Sequence, residues 1–179
     1  MFWRESGERW DVLRLVAGPC AVFVAALFLG APWATAADAP ATDAAFLEKA
    51  AQANAAEVKI SQAAQTRALR PAIKSFGDRM VEDHSALNRE IEALAKKKGV
   101  AVTTEPDAAH LMKFGSLQKL EGGAFDRAYV DLMIEDHTAA VQLFEQAASD
   151  SGDADEKKFA ETTLPMLREH LEAAKALPL

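Results

Sequence analysis

Phe76-Gly77-Asp78-Arg79-Met80-Val81-Glu82-Asp83-His84-Ser85-Ala86 lies within a longer stripe of Ile73, Phe76, Met80, His84, Leu87, Ile91 and Leu94. The steps of three and four residues mark one face of an α-helix. A histidine interrupts that apolar face. The pattern returns as Tyr129-Val130-Asp131-Leu132-Met133-Ile134-Glu135-Asp136-His137-Thr138-Ala139, and more loosely as Met166-Leu167-Arg168-Glu169-His170. Each copy places Met four residues before His, on the same face. An apolar residue stands three before the His, and a carboxylate directly before it, about 100° round the axis. Three helices, each presenting a histidine beside a methionine, are the starting point for both fold and function.

Half of the 179 residues are hydrophobic, and much of that share is alanine. Alanine with Leu, Glu, Lys and Gln is the composition of closely packed helices. The formal net charge is -7, and Lys96-Lys97-Lys98 is the only run of three lysines. An acidic chain without basic stripes speaks against nucleic acid as a partner and against tight binding to anionic membranes.

The N-terminus reads as an export signal. Arg4, Arg9 and Arg14 precede an apolar run from Leu15 to Gly30, and Ala34-Thr35-Ala36-Ala37 offers small residues for cleavage. The run is short for a membrane span and contains Gly18 and Pro19. The expected division is a signal peptide over residues 1–37 and one domain over 38–179, leaving no integral span. The chain is then periplasmic or otherwise exported; an uncleaved N-terminal membrane anchor is the alternative. Cys20 is the only cysteine, so the mature chain forms no disulfide and offers no thiolate. Removal takes three basic residues (Arg4, Arg9, Arg14) and three acidic ones (Glu5, Glu8, Asp11), so the mature charge stays at -7.

After a short lead from Asp38 to Thr42, Thr42 or Asp43 caps a first helix running to about Ala68. Pro71 suits the first turn of a second helix, and Lys96-Lys97-Lys98-Gly99 suits its end. Val100 to Pro106 is an extended crossover, and Asp107 to Leu120 holds a shorter helix that Gly122-Gly123 breaks. A third long helix carries Phe125, Tyr129, Met133, His137, Ala140 and Phe144. Asp153 with Glu156 then resembles a capping box. The last helix carries Phe159, Met166, His170, Ala173 and Leu177, and Pro165 is expected to kink it. The fold class is all-α: a ferritin-like antiparallel four-helix bundle with one long crossover and a short extra helix.

Helix counting then brings polar residues together. From the turn near Leu69, Glu57 lies twelve residues back and His84 fifteen ahead, an axial mismatch of roughly 4–5 Å. From the turn near Gly152, His137 lies fifteen residues back and His170 eighteen ahead. Glu57, His84, His137 and His170 therefore fall near mid-height, one from each long helix, as candidate metal ligands. Neutral imidazole and carboxylate suit Zn, Fe and Cu. Asp83, Asp136 and Glu169 are placed to receive the second N–H of imidazoles across the bundle. Met80, Met133 and Met166 form a softer layer about one turn away, and thioether favours Cu(I). The structural alternatives are a buried polar cluster for the histidines, core filling for the methionines, and surface ion pairs for the acids. His110 is read as a surface or packing residue, and Tyr129 as a core aromatic. Val81, Ile134 and Leu167 stand where a di-iron carboxylate site would need glutamates in Glu-x-x-His pairs. That oxygen-activating motif is absent.

At these residues the chain resembles a bacterial group, domain of unknown function family 4142, over about Thr42 to Leu177. The resemblance rests on Glu57 in an Ala-rich helix, on Phe76-x-x-x-Met80-Val81-x-Asp83-His84, and on Phe125-Asp126-x-x-Tyr129. Asp136-His137 and Leu164-Pro165-x-Leu167-x-x-His170-Leu171 complete it. It implies an exported ferritin-like bundle, periplasmic or associated with the outer membrane, without an established activity. The expected function is therefore metal buffering, sensing or transport at a Glu/His site in the bundle core. The alternative is a structural or stress-related envelope protein with a metal-free Glu/His/Asp cluster. The chain reads as a binding protein rather than an enzyme; as an enzyme it would be a ferritin-like metal-dependent oxidoreductase.

Overall fold

The computed structural model describes residues 41–179, and the expected export segment lies outside them. Five helices follow in order: α1 (Ala41–Arg67), α2 (Pro71–Lys98), α3 (Ala108–Leu117), α4 (Gly122–Asp150) and α5 (Ala154–Lys175). Among the described residues there is no strand. The chain is all-α, as the three- and four-residue stripes require.

Neighbouring long helices run antiparallel. Phe46 near the start of α1 packs edge-on against Phe144 near the end of α4, ring centroids 5.2 Å apart. Arg79 early in α2 pairs with Glu169 late in α5, while Lys97 and Lys98 at the end of α2 pair with Asp155 and Asp153. α1 packs on α2 and α4, and α5 packs on the same two. α2 and α4 therefore occupy diagonal corners and run in the same direction. The connection between them must travel the length of the bundle. α3 lies on that path, against α1 and α4.

Local chemistry sets the ends. Pro71 opens α2, and Gly99 closes it in the left-handed conformation (φ 68°) with its N–H on the Ala95 and Lys96 carbonyls. Asp153 accepts from the backbone N–H groups of Asp155 and Glu156 at the start of α5. α1 is already helical at Ala41, ahead of the expected cap at Thr42 or Asp43. The Gly122-Gly123 pair belongs to the first turn of α4 instead of preceding it. Gly122, at φ 56°, redirects the chain, and the break falls just upstream. α5 is continuous through Pro165.

The core divides into two apolar clusters. One contains Ile60, Phe76, Met80, Phe125, Tyr129 and Met133. The other contains Phe46, Leu47, Leu87, Ile91, Phe144 and Leu167. Between them lies a layer of buried polar residues: Asn54, Glu57, His84, His137 and His170. Alanine brings α1 and α2 close. A methyl group added at Gly77 would stand 3.1 Å from the Ser61 carbonyl oxygen and 3.2 Å from Ala64 Cβ.

Candidate metal centre

Each polar residue in the layer replaces an apolar one at a position its helix buries. His84 follows Met80 by four residues on α2, His137 follows Met133 by four on α4, and His170 follows Leu167 by three on α5. The three rings form a nearly equilateral triangle, with centroids 5.3, 5.3 and 5.4 Å apart. One ring nitrogen from each lies within 4.8 Å of the other two. All three side chains are buried.

Each imidazole has one nitrogen held by an oxygen. His84 Nδ1 meets Asn54 Oδ1 at 2.6 Å, and Asn54 Nδ2 donates to the His84 carbonyl at 2.7 Å. Because the Asn54 amide donates through nitrogen, its oxygen must accept, so His84 carries its proton on Nδ1. His137 Nδ1 donates to the Met133 carbonyl at 2.9 Å. His170 Nε2 reaches Asp83 Oδ2 at 2.8 Å. The remaining nitrogens, His84 Nε2, His137 Nε2 and His170 Nδ1, are buried without a hydrogen-bond partner.

Electrostatics keep the rings neutral. Burial holds His84 well below the ordinary imidazole range, reinforced by His137 and His170. Burial brings His137 down to about 4, again with His170 adding to the effect. Burial lowers His170 as well, against the opposing pull of the Asp83 carboxylate. Glu57 moves the other way: burial and the nearby Asp136 raise its carboxyl well above the usual range, despite Lys113.

The other expected site residues are distributed as follows. Glu57 lies in the layer, with Oε1 at 3.6 Å from His137 Nδ1, on the side of that ring already turned to the Met133 carbonyl. The group of converging ligand atoms consists of the three histidines. Asp83 is joined to His170 and also accepts from Arg79 at 3.3 Å. Asp136 is buried beside the layer and pairs with Lys113 at 2.6 Å. Glu169 is exposed and pairs with Arg79 at 2.9 Å. Met80 and Met133 belong to one apolar cluster, and Met166 packs against the other. Met133 Sδ accepts a long contact from Ser61 Oγ at 4.0 Å, and Ser61 also meets Tyr129 Oη at 3.1 Å.

Asn54 is the residue that helix counting passed over. Its signal was present: Asn54, Glu57 and Ser61 stand at i, i+3 and i+7 on α1, so they share a face of an alanine-rich helix. Lys113 was also missed. It lies on α3, where its ammonium joins Glu135 at 3.1 Å and Asp136. His110, half-buried on α3, bonds Asp107 Oδ1 at 2.8 Å through Nδ1.

A cleft of about 430 Å³ opens beside the layer, between α1 and α4 under α3. Glu57, His84 and His137 reach it; His170 does not. Among the described residues, no helix is long and apolar enough to cross a membrane.

The family described as domain of unknown function (DUF4142) matches residues 30–177 of the chain. No curated protein matches the sequence. Three solved structures share the fold. A DUF305 fragment from Deinococcus radiodurans superposes with a TM-score of 0.68 at 15% identity, covering 76% of this chain and 95% of that one. CopM in its Cu(II)-bound form gives 0.64 at 16% identity over 74% and 93%, and in its Cu(I)-bound form 0.63 at 16% over 74% and 92%.

Proposed function

The chain belongs to the domain of unknown function (DUF4142) family, and from that premise we propose that it is an exported protein holding one transition-metal ion between His84, His137 and His170. One observation carries the reading. Each buried imidazole is anchored by an oxygen through one nitrogen and leaves the other without a hydrogen-bond partner, and one ring nitrogen from each of the three lies within 4.8 Å of the others. A buried unpaired polar atom costs about 1–3 kcal/mol, and a metal ion would satisfy all three at once. The anchoring acceptors fix ring orientation and leave the free nitrogen as a lone pair, as metal-bound histidines require.

The fit is close but needs adjustment. A tetrahedral ion bound at about 2.0–2.1 Å separates its nitrogens by about 3.4 Å. The ligand nitrogens lie within 4.8 Å of one another, so binding would draw them closer together. Glu57 serves as a neighbour of His137 rather than a fourth ligand, because it approaches the Nδ1 side. Without a carboxylate ligand, the set departs from the two-histidine, one-carboxylate iron arrangement and suits copper or zinc. The copper-bound CopM structures, built on the same fold, make copper the first metal to test. Buffering, sensing or carrying the ion fits a centre whose ligands come from three rigid helices. The apolar run after Arg14 supports export with cleavage near Ala36 or Ala37, giving a mature domain over residues 38–179.

The test is metal content of untagged protein purified after export. Near-stoichiometric copper or zinc is expected in the wild type. Loading unchanged in His84→Ala/His137→Ala would remove the proposal. The second reading, a metal-free polar cluster, draws on the same oxygen partners, since each ring already has one strong hydrogen bond.

A further inference from the structure

The cleft beside the layer is too large to be a packing flaw and has the size of small-molecule sites, which span about 300–1,000 Å³. Part of its wall is apolar, with Ala50 and Ala53 from α1 and Ala140, Leu143 and Phe144 from α4, while Lys49, Lys113 from α3 and Asp136 supply charge. Its inner end carries Asn54, Glu57, His84 and His137. His170 stands behind the centre on α5, outside the cleft. The histidine triangle is thus backed on one side and approached on the other. An ion held by only three protein ligands keeps a coordination position for an outside donor.

We infer that the cleft binds a small organic molecule with an apolar body and one nitrogen- or oxygen-donor head, the head taking the fourth position of the metal. The inference rests on the metal reading above. The body lies between the alanine faces of α1 and α4. Those alanines are what make the room, since larger side chains at Ala53 and Ala140 would fill it. Both are only partly buried, so enlarging them displaces a ligand without overpacking the bundle.

Copper-loaded protein is titrated with imidazole and with 4-phenylimidazole, followed by visible absorption and electron paramagnetic resonance. Both heads are expected to shift the copper spectrum, and the phenyl compound to bind at least about tenfold tighter through its buried ring. In Ala53→Leu/Ala140→Leu that preference disappears while copper content is unchanged. An unshifted spectrum, equal affinity of the two probes in the wild type, or a preference that survives cavity filling each overturns the inference. The wild-type comparison decides alone if the double variant fails to fold. Failure of the metal reading is seen separately, before any probe is added, as copper lost on desalting.

Discussion

Asn54 grips His84 twice, with its amide nitrogen on the backbone carbonyl and its oxygen on the Nδ1 proton. The pairing selects the tautomer whose Nε2 lone pair is free. Replacing Asn54 by Leu keeps the bulk and removes the selection. Metal affinity, measured by chelator competition, is expected to fall by about 10–100-fold with helix content unchanged; an unaltered affinity would show that Asn54 only packs. Glu57 gives a prediction of opposite character, best read on metal-free protein. Its folded-state carboxyl binds protons more tightly than in the unfolded chain. Its contribution is therefore complete below the unfolded value near 4.5 and lost as pH rises through the folded one. Glu57→Gln carries no charge to desolvate, so it should melt higher than wild type at pH 8, with the gap closing toward pH 5. The histidines act with the reverse sign. All three are held low in the fold, so the unfolded chain is the better proton acceptor as pH falls below about 6.5, for His137 down to about 4. The histidine contribution to wild-type stability should fall as pH drops from about 6.5 toward about 4. A melting temperature that is constant from pH 7 to pH 4 would contradict this assignment.

Helices α2 and α4 depend on one buried carboxylate at the turn between α1 and α2. Arg70 makes no side-chain cap for α2. Asp126 supplies the cap from α4 instead, accepting from Leu69 N at 2.8 Å, Arg70 N at 3.1 Å and Arg70 Nη1 at 3.2 Å. Asp126→Ala removes the acceptor shared by those three part-buried bonds, at a cost of about 1–3 kcal/mol. The urea midpoint should drop with an unchanged slope; a midpoint within error of wild type would mean water replaces the carboxylate freely. This cap was outside what sequence could reveal, because its partners are 56 and 57 residues away. The same holds for Lys113 with Asp136 and for Asn54 with His84, at separations of 23 and 30. The stripes of α2, α4 and α5, by contrast, were legible, since periodicity is a local property. α1 was legible through its few large apolar residues and through Glu57. Its alanine face says little about which neighbour it meets, and close approaches such as Gly77 on Ser61 and Ala64 emerge only from the packed pair.

At the scale of the molecule, two apolar clusters clamp a polar layer whose height follows from loop length alone. Counting from the turns was enough to bring the histidines of α2, α4 and α5 to one level, because helices have a fixed rise. It could not say which atoms face inward, and that decides whether Glu57 is a ligand or a neighbour of His137. The layer also sets the largest effect expected of the whole protein. A metal that binds only the folded chain adds stability by mass action, about 2.7 kcal/mol at a hundredfold excess over the dissociation constant. For a domain of this size, each kcal/mol moves the melting temperature by about 2–4 °C. Cu(II) or Zn(II) at that excess should therefore raise it by roughly 5–10 °C. A chelator should return it to the metal-free value, and His84→Ala/His137→Ala should respond to neither. The variant also empties part of a buried layer, so its baseline will be lower; the informative quantity is the metal-dependent difference within each protein. A wild-type melting temperature indifferent to metal and chelator, yet lowered by acid, is the signature of a histidine cluster stabilised by Asn54, Asp83 and the Met133 carbonyl alone.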